Sequence, residues 1–178
     1  MAEKERRSVL QMLKDQIAKS GKTRSDSFWL KAGKRARIRF LSDFGDAIPV
    51  KFHDRYGEDS FITPCLSYFG KKCPYCDMNL EDDGVRHTDN FIWTIWNYET
   101  QKRELFIFKA NRCSPLGAMQ AMYEELGSLT GCDFVIRREG EKTETTYTLI
   151  PGQATSFKGK GKDARPFSEK QVFDKLKQ

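Results

Sequence analysis

Cys65, Cys73 and Cys76, three of the chain's five cysteines, fall within twelve residues of one another, and no other feature limits the fold as sharply. Cys73-Pro74-Tyr75-Cys76 is a Cys-x-x-Cys pair on a short turn, which brings two sulfurs to one ion, and a third cysteine precedes it by eight positions. Three thiolates and one further donor make a tetrahedral zinc set, with Zn–S near ~2.3 Å and Zn–N near ~2.0 Å. An odd number of cysteines with this clustering reads as ligation and not as a disulfide framework. A thioredoxin-like redox turn would cap a helix after a buried strand; here Lys71 and Lys72 precede the pair and Cys65 competes for it. A catalytic zinc keeps an open position beside a general base, and no His-Glu or Cys-Glu constellation supplies one. The expectation is one structural Zn²⁺. Spacing leaves its fourth ligand open: His53 lies twelve positions before Cys65 and His87 eleven after Cys76, with Cys113 and Asp54 as further candidates.

What the metal serves depends on the rest of the chain. Its 178 residues suffice for one ordinary domain with appended segments. A net charge of +6 together with 12% aromatic residues supplies cations for phosphates and rings for bases, the pairing that single-stranded nucleic acid needs. No apolar run approaches the ~20 residues of a membrane span, and the first residues lack the apolar core of a secretion signal. With the unpaired cysteines, this makes a reducing cytoplasm the expected compartment.

Residues 3–19 carry Val9, Leu10, Leu13 and Ile17 at helical spacing. The pattern then changes to period two: Arg35-Ala36-Arg37-Ile38-Arg39-Phe40-Leu41 alternates, setting Arg35, Arg37 and Arg39 on one strand face and Ala36, Ile38 and Phe40 on the other. Residues 50–54 read as a partner strand, the cysteine segment as metal-held loop, and residues 81–90 as an acidic surface loop. Residues 91–98 and 104–109 form the strongest strand pair, joined as a hairpin. Ser114 and Pro115 open a helix whose expected buried stripe is Leu116, Met119, Met122, Tyr123 and Leu126. Two more strands follow at 133–138 and 143–150. A flexible basic tract with Lys158, Lys160 and Lys162 then leads to a short helix at 168–177. The sum is mainly β with some α: an OB-like small barrel with an inserted zinc subdomain and flanking helices. The expected division is a helical arm over 1–27, a core over 28–151 holding the zinc subdomain at about 53–87, and a basic tail over 152–178.

Three like charges on one strand face repel one another unless an anion lies across them. Arg35, Arg37, Arg39, Lys51, Arg55, Lys109 and Arg112 are therefore candidate phosphate contacts, read without sequence preference. Candidate stacking rings are Tyr56, Tyr68, Trp93, Trp96 and Phe106, only some of which can lie outside so small a core. Arg137, Arg138 and Lys142 are weaker signals of general basicity.

The order His53, Cys65, Cys73, Cys76 resembles the zinc site of the zinc-containing single-stranded DNA-binding proteins of tailed phages, the T-even helix-destabilising type. Phe40-Leu41-Ser42-Asp43, Leu105-Phe106-Ile107-Phe108-Lys109-Ala110 and Thr145-Thr146-Tyr147-Thr148-Leu149-Ile150-Pro151 add to the likeness, which covers about residues 29–151. The resemblance implies an OB core with an inserted zinc subdomain, single-stranded DNA in a basic, aromatic cleft, and His53 as fourth ligand. It also implies cooperative self-association through a basic amino-terminal arm, here Lys4, Arg6 and Arg7. One departure is that this chain ends basic, in Lys175-Leu176-Lys177-Gln178, where the type member ends in an acidic recruiting tail. The expected activity is non-enzymatic, sequence-independent coating of single-stranded DNA in phage replication, recombination or repair, with replication or recombination proteins as partners and no membrane. The alternative of another class is a zinc-ribbon adaptor that binds a polymerase or host factor.

Overall fold

The computed structural model describes residues 26–154, 156–157 and 165–176. The helix expected over 3–19, the arm residues Lys4, Arg6 and Arg7, and the Lys158, Lys160 and Lys162 tract lie outside these residues. In chain order the elements are β1 (Arg35–Phe40), β2 (Ile48–Arg55), β3 (Phe61–Pro64), α1 (Leu80–Asp83), β4 (Val85–Asn97), β5 (Lys102–Lys109), α2 (Leu116–Leu126), β6 (Cys132–Glu139), β7 (Thr146–Ala154) and α3 (Glu169–Leu176). The strands form one open sheet in the order β3-β2-β4-β1-β6-β7, with β5 on the other edge of β4, and every ladder between them is antiparallel.

β4 is the organiser. Its thirteen residues are long enough to pair with β2 through its first half (Ile48 opposite Ile92) and with β1 at its end (Phe40 opposite Ile95). Both partners can share one edge because the chain breaks between them at a tight turn, Phe44–Asp46. Asp43 makes that turn: its carboxylate accepts from the Phe44 N–H at 2.8 Å and from the Leu129 N–H at 2.9 Å. Burial pushes the Asp43 carboxyl up, but these backbone donors and Ser128 outweigh it and hold the group below its ordinary value.

Strand alternation sorts the side chains onto two faces. Ala36, Ile38, Phe40, Trp93, Ile95, Phe106, Phe134 and Ile136 point inward and make the main core, with Met119 of α2 closing over it. Phe28 and Leu30 join it because residues 26–28 pair alongside β5, with the Phe28 N–H donating to the Leu105 carbonyl at 2.8 Å. The sheet curls until the Phe108 ring of β5 meets Tyr147 of β7 at 5.3 Å, although no ladder joins those strands.

The outer face carries a second core of Val50, Phe52, Ile92 and Leu105 under Phe167, Val172 and Leu176. The carboxy-terminal helix expected as part of a basic tail is instead packed on the sheet. Each such side chain contributes about 1.5–3 kcal/mol when buried. The Phe167 N–H donates to the Thr94 hydroxyl at 2.9 Å, and Lys175 Nζ donates to Asp26 at 2.7 Å.

Other expectations need correction. The acidic loop expected over 81–90 is mostly strand, because residues from Val85 onward ladder with β2. A strand that the sequence reading did not separate out, β3, lies just before Cys65. Of the stripe expected on α2 only Met119 is buried, while Tyr123 and Leu126 are exposed. No helix among the described residues is long and apolar enough to cross a membrane.

Candidate metal centre and basic surface

β2 alternates so that Lys51, His53 and Arg55 share one face, and His53 alone of the three is buried. The chain returns through β3, whose ladder with β2 sets Thr63 opposite His53, and then delivers Cys65. The Cys65 N–H donates to the Lys51 carbonyl at 2.8 Å, which fixes this cysteine beside β2. A left-handed glycine, Gly70 at φ 68°, ends the next turn, and the chain comes back as Cys73 and Cys76.

Four ligand atoms thereby converge within 4.8 Å of one another, from His53, Cys65, Cys73 and Cys76. Cys65 Sγ to Cys76 Sγ is 3.4 Å, Cys73 Sγ to His53 Nε2 is 3.4 Å, and Cys76 Sγ to His53 Nε2 is 3.8 Å. A tetrahedral ion with bonds of ~2.0–2.3 Å separates its donors by roughly 3.5–3.8 Å, so the group fits a metal ion. His87 faces His53 across the β2–β4 ladder, with ring centroids 4.7 Å apart, but its Nε2 donates to the Met78 carbonyl at 2.7 Å. His87, Cys113 and Asp54 are outside the group of four.

The electrostatics of the bare cluster treat its members unequally. Burial first, then His87 and Lys51, push His53 down to about 4, so its imidazole is neutral at pH 7 and able to ligate. The Cys76 thiol is pushed up to about 12, chiefly by its hydrogen bond to Cys65, with burial and the Cys73 sulfur adding to it. Burial raises Cys65 as well, but the Ser67 hydroxyl, 2.9 Å from its sulfur, helps bring it below its ordinary value. A cation held among the sulfurs would favour their thiolate form. Tyr75, Phe61 and Val85 shield the cluster, and His53 Nδ1 is buried without a hydrogen-bond partner among the described residues.

The candidate DNA contacts do not gather on one surface. Lys51 and Arg55 are exposed on the metal-side face, and Tyr56, just past β2, is exposed with the Arg86 guanidinium 5.0 Å above its ring. Arg35, Arg37 and Arg39 lie on the opposite, outer face, as their register with Arg137, Val135 and Asp133 of β6 and with Trp96 of β4 requires. Trp96 is half-buried there, 5.7 Å from Phe157. Tyr68 is exposed beside Phe173 of α3, Lys109 is half-buried and Arg112 exposed.

Three candidates are corrected by burial. Trp93 and Phe106 are core residues, 3% and 0% exposed, and cannot stack on a base without unfolding the sheet. Arg39 is buried too and spends its guanidinium on Asp133 at 3.2 Å. Asp133 escapes a reading of the sequence because an isolated aspartate at a strand start carries no pattern. It accepts from Arg37, Arg39 and the Tyr98 hydroxyl, and these donors outweigh its burial to hold it below the usual carboxylate range. Trp29 escapes it too, standing outside any alternating run. It is 67% exposed, with the Arg138 guanidinium 4.9 Å from its ring.

No family model, curated protein or solved structure matches this chain.

Proposed function

We propose that the protein binds single-stranded DNA without sequence preference, and that a structural zinc on His53, Cys65, Cys73 and Cys76 shapes one wall of its binding surface. The observation that carries this reading is the placement of the buried ligand His53 between exposed Lys51 and Arg55 on one face of β2, with exposed Tyr56 following. A metal clamp at that point holds two cations and a ring in fixed relation, as a polymer with regular phosphates and stackable bases requires. The ion supplies rigidity only, since the four protein ligands leave no open position for chemistry.

The strand order supports an OB reading of the fold. Counting β1 and β2 as one bent strand leaves β1–β2, β4, β5, β6 and β7 as a five-stranded, partly open barrel, with β3 and the cysteines as an insertion. A role in replication, recombination or repair follows from holding strands unpaired, which lowers duplex stability by mass action.

The deciding experiment is titration of the full chain with oligo-dT and with duplex of equal length, following tryptophan emission across a salt series. Tight oligo-dT binding that falls steeply with salt, and much weaker duplex binding, are expected. Equal affinity for the two at every salt concentration sinks the reading. Mass spectrometry of freshly purified, reduced protein should find one zinc per chain, and protein with no metal would remove the clamp from it.

A further inference from the structure

We propose a second contact strip for the same single strand on the outer face of β1 and β6, opposite to the face of Lys51 and Arg55. It rests on the single-stranded DNA reading, but its location and residues come from a separate set of observations.

The ladder between β1 and β6 sets Arg35 directly opposite Arg137. Like charges in cross-strand register destabilise a sheet, and both residues are exposed. Arg137 has one partner, Glu139 at 3.0 Å, itself half exposed, while Arg35 makes no ion pair among the described residues. Two residues further along β1, Arg37 keeps 62% of its side chain exposed even while it donates to Asp133. It also lies 4.5 Å over the ring of Tyr98. Counting Asp133 and Glu139 against Arg35, Arg37, Arg39 and Arg137, the strip keeps an excess of two positive charges.

The apolar component is in place as well. Ile150 on β7 pairs with Val135 and is 52% exposed, and Trp96 pairs with Arg39 at the β4 side of the strip. The rest of the outer face, over β2, β4 and β5, is covered by α3 and Phe167. Successive outward residues on β1 are about 6.6 Å apart, a repeat that suits one phosphate per arginine on an extended strand. Asp133 is the positioning residue: it bonds both Arg37 and the Tyr98 hydroxyl and so holds the guanidinium over the Tyr98 ring, ordered before an anion arrives. Solvation of a strand face explains an arginine row. It does not explain two opposed arginines, an arginine laid on a tyrosine, and an exposed isoleucine together.

The test uses the full, metal-loaded chain and oligo-dT. The double variant Arg35→Ala/Arg137→Ala should bind about tenfold or more weakly at low salt, and its salt slope should flatten by about 0.7 for each phosphate it no longer neutralises. Lys170→Ala, which removes a positive charge from an exposed position on α3 away from both contact surfaces, should stay within about threefold. The charge-keeping pair Arg35→Lys/Arg137→Lys should recover most of the affinity, which separates a direct role at the phosphates from an effect on folding. Trp96→Phe keeps a ring but removes the reporter beside the strip, and should lose much of the tryptophan quench; an undiminished quench would place the bound strand elsewhere and overturn the strip. If wild type binds oligo-dT and Arg35→Ala/Arg137→Ala binds equally well with the same salt slope, the strip is wrong and the single-stranded DNA reading survives. If wild type shows no oligo-dT binding at low salt, both fall.

Discussion

Fourteen buried side chains pack into one core against the inner face of the sheet, whereas the cluster around the segment between β3 and β4 buries only Cys65, Cys73 and Tyr75, with Val85 of β4. Two of those four are candidate ligands, so the segment has almost no apolar core apart from the atoms that would hold the ion. The sheet is stabilised by area removed from water, at about 25 cal/mol per Å². With the proposed ion bound, the cysteine segment would depend on a few strong, directional bonds. On that reading one chain carries two stability regimes, one graded and one close to all-or-none, that respond to different perturbations.

Removing the metal should have the largest effect. In small zinc domains the ion contributes of order 10 kcal/mol of folding free energy at neutral pH. Chelation, or Cys73→Ser, is expected to raise amide exchange across residues 61–84 while the β6–β7 ladder stays protected. Loss of protection across the whole sheet would show that the two regimes are one. Acid sharpens the same test. His53 is held down to about 4 when folded, so the metal-free unfolded chain binds the extra proton first. Metal-free stability is therefore full above about pH 6.5 and declines as pH falls toward 4, with no further loss from this group below that. A metal-free melting temperature that does not change between pH 7 and pH 4.5 would contradict it.

Phe134→Ala comes next. Phe134 is fully buried and stacks edge-on with Phe40 at 5.6 Å, so truncation should cost about 3–5 kcal/mol. Denaturant melts should show it equally with and without metal, since the residue belongs to the sheet core. Asp133→Asn follows at roughly 1.5–3 kcal/mol, the range for hydrogen bonds to charged groups, because it weakens the hold on Arg37 and on buried Arg39. Its stabilising effect should also fade in acid, since Asp133 is held below its ordinary value and loses its charge only as pH falls through that lowered value.

The sequence makes the two regimes unequally legible. The sheet announces itself where alternation is strict: β1, expected over residues 35–41, lies at Arg35–Phe40, because Ala36, Ile38 and Phe40 feed one core. The first half of β4 does not, since Arg86, His87, Thr88 and Asp89 have no apolar period and owe their extended form to the ladder with β2. The three clustered cysteines among the candidate ligands are readable because metal chemistry favours their spacing. The face each arginine or ring occupies is not, because alternation gives relative sides and only the tertiary ladders say which side is water. Alternation puts Trp93 and Trp96, three residues apart, on opposite faces, but only the packing shows that the core lies on the side of Trp93. For the same reason α3, with Val172 and Leu176 at helical spacing, reads as a tail unless its partners on β2 and β5 are known.

The smallest expected effect is also the finest probe of the metal segment. Asn79 caps α1, its side-chain carbonyl accepting from the Asp82 N–H at 2.8 Å, and the helix ends one turn later at left-handed Gly84. Replacing such a cap with alanine ordinarily costs about 1 kcal/mol. α1 is four residues long and buries none of its side chains, so no core compensates for the missing bond. In the metal-loaded protein the clamp at Cys73 and Cys76, only a few residues upstream, limits how far the turn can open. Asn79→Ala should then leave global melting unchanged and raise exchange at Asp82 and Asp83 only slightly. In chelated protein the same change should raise exchange through the whole stretch from Cys73 to Val85, since cap and ladder are then what remain. Equal effects with and without metal would mean that the ion does not hold this segment, and that its order comes from β2 and β4 alone.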